Sequence, residues 1–151
     1  MTIGLILHVL GAVIWVGGIF FAFLVLRPAT GTVDAHVRLE LWAQVFRRFF
    51  PWVWASIVAL LLSGYGMVFF ALGGFAGAGV HVHIMQATGW VMIVLFLHLY
   101  FAPWPRMRRA LEAGDDKMAA RQLNQIRWMV GTNVVLGLLT AAIGASGRYW
   151  G

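Results

Sequence analysis

Three long apolar runs alternate with two short charged blocks along the chain. Thr2 to Leu26 is the first run, Phe49 to Pro105 is long enough for two spans and a connector, and Trp128 to Gly147 is the last. A membrane-crossing helix needs about 20 predominantly apolar residues. The pattern therefore predicts four transmembrane helices, at about 2–26, 51–71, 81–102 and 128–147. No run shows the alternation of a lipid-facing barrel strand. The expected class is all-α, an integral membrane four-helix bundle of two hairpins forming a single domain over residues 1–151.

Polar punctuation sharpens the boundaries. From Asp34 to Phe49 the apolar residues Val37, Leu41, Val45 and Phe49 recur at helical spacing, which predicts a short cytoplasmic amphipathic helix before helix 2, capped by Asp34. Pro51 then opens the second span. The glycine-rich Gly73 to Gly79 predicts a tight uncharged turn, and Pro103 and Pro105 stop the third span. A helix starting near Asp115 can run unbroken into the fourth. Thr2 to Leu26 reads as a retained helix: no Lys or Arg precedes it, and Arg27-Pro28 stands where a secretory cleavage site would need small residues.

Charge adds the orientation. Every Lys, Arg, Asp and Glu except Arg148 falls between Arg27 and Arg48 or between Arg106 and Arg127, and the chain is 62% hydrophobic against 11% charged. Basic residues in short loops mark the cytoplasmic side, so both blocks are expected there, with the termini and the second connector outside. The formal charge of +6 thus belongs to topology and not to a nucleic-acid footprint. The expected setting is the bacterial inner membrane, multi-pass, with periplasmic termini and the lipid bilayer as partner. There is no cysteine, which removes disulfides and thiolate ligands.

Small residues suggest where helices meet. Gly11, Gly18 and Ala22 share a side of helix 1 with His8 and Trp15, and Gly137, Ala141 and Gly144 form a stripe on helix 4. Each stripe reads either as helix packing or as a groove for a flat cofactor. Of the eight Trp, five lie near span ends as an interfacial belt does. Trp15 and Trp90 are interior.

Candidate chemistry rests on histidine. His8, His81, His83 and His98 lie in or at the edge of the spans, where an ionisable group is costly unless paired or bound, and no charged residue lies inside any span. Neutral imidazole suits iron and copper. His8 and His83 are expected at similar depth near the outer side. His98 lies about 22 Å further in at 1.5 Å per residue, which separates it from them and makes it, with Tyr100, a candidate quinone, proton or second-cofactor site. His81, with Met85 one turn on, suits a soft metal such as Cu(I).

The motif from His8 through Trp15 to Gly17-Gly18, followed by Leu26-Arg27-Pro28, resembles the first helix of CopD-like membrane proteins and of the HemJ-type protoporphyrinogen oxidases. Arg47-Arg48-Phe49, leading to Leu62-Ser63-Gly64-Tyr65-Gly66, is similar to the CopD second helix. The resemblance implies a four-helix membrane unit concerned with copper resistance or import, or with haem b. It carries the first-helix histidine onto His8, and a late third-helix histidine of HemJ onto His98. The HemJ lysine of the third helix is absent, Gln86-Ala87 standing there, which argues against protoporphyrinogen oxidation.

Three expectations follow. The first is a small b-type cytochrome and haem-dependent membrane oxidoreductase. In it, haem b is ligated by His8 and His83 among Gly11, Gly18, Trp15 and Trp90, and Arg148 pairs with a propionate. It would exchange electrons between quinone and a redox partner protein. The alternative is copper binding or transport through His81, His83, Met85 and His8. The third is a cofactor-free membrane partner subunit. A homo-oligomer is compatible with each.

Overall fold

The computed structural model describes residues 2–150, with the side chain of Arg148 outside the description. Helices run as α1 (Thr2–Phe20), α2 (Arg27–Ala29), α3 (Ala35–Ala71), α4 (Val80–Phe101), α5 (Pro103–Glu112) and α6 (Asp116–Ser146). Among the described residues there is no strand. Four of the helical segments, Thr2–Thr32, Ala35–Ala71, Val80–Glu112 and Asp116–Ser146, are long and apolar enough to cross a membrane. The protein is an all-helical, multi-pass membrane protein, and the expected class holds.

Helix boundaries differ from the sequence expectation in an instructive way. The amphipathic stretch is not a separate helix: it is continuous with the second span, and Pro51 lies inside the 37-residue α3. Proline removes one ladder hydrogen bond and disfavours the α conformation just before it. Packing overrides that preference here. Phe50 stacks on Phe46 at 5.2 Å and meets Trp104 edge-on at 5.5 Å. Asp34 caps α3 as expected, accepting from the backbone N–H of His36 and Val37. The first span continues past Phe20 through a π-helical stretch, Phe21–Leu26. Pro103 ends α4 and starts α5, because proline is tolerated in a helix's first turn. Asp115 caps α6, which runs unbroken through the fourth span. Gly73 and Gly74 turn the connector with φ of +73° and +83°, a region that side chains with a Cβ rarely enter.

The core is concentrated at the arginine-rich end. Trp42, Phe46, Phe50, Phe96 and Trp104 form a buried aromatic cluster there, and Met107, Ala119 and Ile126 are completely enclosed beneath it. His36 Nδ1 meets the Asp116 carboxylate at 2.9 Å, tying the start of α3 to the start of α6. Toward the end that carries both termini, Ile3, Leu62, Phe70 and Val80 are exposed, as lipid-facing side chains are. There α4 packs on α6 and α1 on α3, and this pairing positions the candidate site.

Candidate functional site

His81, Met85, Thr88 and Met92 follow one another on α4 at offsets of four, three and four, so they share one face. That face meets α6, which answers with Gly144, Thr140 and Gly137 and, at its C-cap, Gly147. A Cβ at Gly144 would sit 3.1 Å from Met85 Sδ and 2.8 Å from its Cε; one at Gly137 would sit 3.2 Å from Met92 Cε; one at Gly147 would collide with the His81 ring. The glycines are the cradles that receive these side chains. Between them, Thr140 Oγ1 donates to Thr88 Oγ1 at 2.7 Å, and Thr88 donates to the Ile84 carbonyl at 2.9 Å. At the inner limit of the seam Asn133 Nδ2 donates to the Met92 carbonyl at 3.2 Å. Its Oδ1 is buried without a partner. The amide ties α6 to α4 one turn below Gly137.

His8 points elsewhere. Its Nδ1 lies 3.1 Å from Ser63 Oγ on α3, and Ser63 spends its own proton on the Ala59 carbonyl. His8 therefore donates from Nδ1, which leaves Nε2 as the lone pair. The ring lies over Gly64, where a Cβ would come within 3.2 Å of Cε1. The room expected beside Gly11 and Gly18 for a flat cofactor is taken by protein. A Cβ at Gly11 would meet Leu60 at 3.2 Å and the Ser56 carbonyl at 3.3 Å, and one at Gly18 would run into the Phe49 ring. Trp15 is buried in the core, edge-on to Phe96 at 6.3 Å, and does not wall a cavity beside His8.

The remaining candidates are dispersed. His83, two residues from His81 and so on another face of α4, is exposed with its ring 6.3 Å from that of Phe75. His98 is exposed, whereas Tyr100 turns into the aromatic cluster, 5.5 Å from Trp54; the two do not come together. Trp90 is half exposed and donates to Tyr65 Oη at 3.0 Å, joined there by Gln86 at 3.2 Å. The Arg148 side chain lies outside the described residues. Among the described residues no three His, Asp or Glu side chains converge as a metal site. Of the expected ion ligands His8, His81, His83 and Met85, only His81 and Met85 share a face. Sequence reasoning missed Thr88 and Met92 as members of that face, and Asn133 opposite it on α6. The four-three-four spacing from His81 was the available signal.

Residues 43–146 match the family described as Copper resistance protein D. That segment contains the whole α4 side of the seam and its α6 side through Gly144, and it begins after His8. A protein of Aquifex aeolicus (strain VF5), described as an uncharacterized protein, is 28% identical over 141 residues, which span 93% of this chain and 90% of the relative. No solved structure matches the chain.

Proposed function

Because the chain belongs to the Copper resistance protein D family, we propose that it is a copper-handling protein of the bacterial inner membrane, taking Cu(I) as its cargo along the α4–α6 seam. The observation that carries this reading is the single face of His81, Met85 and Met92 laid against Gly147, Gly144 and Gly137. Thioethers and imidazole select a soft monovalent ion. The seam has no carboxylate, so a hard divalent cation would lose its hydration there without compensation. The positive-inside rule supports placing the arginine-rich end in the cytoplasm and the His81 end outside. On that orientation His81 and Met85 form the entry pair, and Met92 lies about 10 Å deeper at 1.5 Å per residue.

The test is a Cu(I) titration of the detergent-solubilised full chain against a chromophoric chelator. Leucine conserves methionine's volume and removes the sulfur. Met85→Leu and Met85→Leu/Met92→Leu are expected to weaken Cu(I) binding by roughly tenfold or more, with melting temperatures near the wild type. Unchanged affinity in the double variant defeats the proposal.

The haem alternative has one argument in its favour, the Nε2 lone pair that the Nδ1–H tautomer gives His8. The residues present do not otherwise fit a macrocycle, since Leu60, the Ser56 carbonyl and Phe49 fill the space it would need. A Soret band that vanishes in His8→Ala would reverse that judgement.

A further inference from the structure

At the arginine-rich end, three guanidinium groups from three separate segments line one cleft of about 530 Å³: Arg27 at the end of the first span, Arg38 near the start of α3 and Arg127 on α6. Phe23, Leu24 and Pro28 form its apolar wall. The arginines are held in place by aromatic and carbonyl contacts, with no carboxylate among the described residues to neutralise them. Arg27 lies over the Phe23 ring at 5.0 Å, Arg127 over the Trp42 ring at 5.8 Å, and Arg38 Nη1 reaches the Val33 carbonyl at 3.5 Å. Arg127 Nε is buried with no hydrogen-bond partner.

No carboxylate serves this group. Among the described residues both ion pairs are made by His36, with Glu40 and Asp116, and neither includes an arginine. Asp34, close in sequence to Arg38, is engaged in capping α3. Gathering three like charges around a cleft, one with a buried unpaired donor, costs free energy that the protein itself does not return. An anion in the cleft would return it, and the guanidinium fork matches the geometry of phosphate.

We infer that the cleft formed by Arg27, Arg38 and Arg127 is a binding site for a phosphate group. Two sources carry that chemistry: the headgroup of an anionic phospholipid and a soluble phosphate compound. Leu24 is exposed on the outside of the bundle beside the cleft, a surface along which an acyl chain can lie while its headgroup enters among the arginines. Basic pockets at the cytoplasmic ends of membrane helices hold lipid headgroups in this way.

The experiment is thermal melting of the purified full chain in detergent, with phosphatidylglycerol, phosphatidylcholine or inorganic phosphate added. Phosphatidylglycerol is expected to raise the wild-type midpoint by roughly 4 °C or more, and phosphatidylcholine to leave it unchanged. Arg27→Gln/Arg38→Gln removes most of that rise, whereas Arg109→Gln, exposed on α5 and absent from the cleft lining, keeps it. Where the double variant fails to accumulate, Arg27→Gln alone, at an exposed position, gives the same readout. A rise with inorganic phosphate, lost in the same variants, supports the site and assigns it to a soluble phosphate compound. Equal rises in wild type and variants, or no rise with either phosphate source, overturn the inference.

Discussion

Gly137→Ala tests whether the junction of α1, α4 and α6 is as close as described. An added Cβ would stand 2.9 Å and 3.1 Å from the two γ carbons of Val16 and 3.2 Å from Met92 Cε. Carbon atoms prefer about 3.5–4.0 Å. Methionine can swing its end away, but a β-branched valine is confined at χ1 and carries two methyls across three positions. Overpacking of this kind costs about 1–3 kcal/mol. The glycine-to-alanine change itself favours the helix by about 0.5–1 kcal/mol, so the net loss expected is about 1 kcal/mol and at most about 2.5 kcal/mol. For a chain of this size that corresponds to a drop of roughly 2–4 °C in melting temperature, and of at most about 10 °C, followed by tryptophan fluorescence in detergent. Gly89→Ala is the internal control, because nothing lies within 4 Å of its added Cβ. It keeps the helix gain alone and rises by a few degrees. Both variants moving in the same direction would refute the close three-helix contact.

Two further outcomes follow from hydrogen bonds seen in the bundle. The pair His8 and Ser63, joined at 3.1 Å, is expected to show a coupling of about 0.6 kcal/mol, and not more than about 1.7, in a double-mutant cycle with His8→Leu and Ser63→Ala; zero coupling by thermal melting would remove the tautomer assignment. Asp115→Ala withdraws the acceptor that serves Met118 N–H at 2.9 Å and costs about 1 kcal/mol; a melting temperature equal to wild type would show that α6 does not depend on this cap.

Span number was legible because it rests on length and charge alone. A run of apolar residues in lipid has one stable conformation, and the arginine blocks mark its ends. The union of the amphipathic stretch with the second span was not legible. Pro51 is a local stop signal, and what overrules it is the stacking of Phe46 and Phe50 against Trp104, residues separated by more than fifty positions. The separation of His81 from His83 was legible in their offset of two, but which of them faces a partner helix was not. That depends on Gly147 lying opposite His81.

The two small-residue stripes show why a site is harder to read than a fold. Both follow the same rule, that glycine lets something come close, and the rule does not say what comes. At Gly11 and Gly18 the visitor is Leu60 with the α3 backbone and an aromatic ring, a stiff contact that closes the space beside His8. At Gly137 the visitors are the two methyls of Val16 and the end of Met92, and at Gly144 the end of Met85; the methionine ends are polarizable groups that can turn aside. The first stripe makes a stiff joint between α1 and α3, and the second a seam in which thioether ends meet glycine. Only the facing residue distinguishes them, and helix pairing decides which residue that is: α1 with α3, and α4 with α6. That Met85 and Met92 both lie against glycines of one partner helix is seen only once that pairing is known.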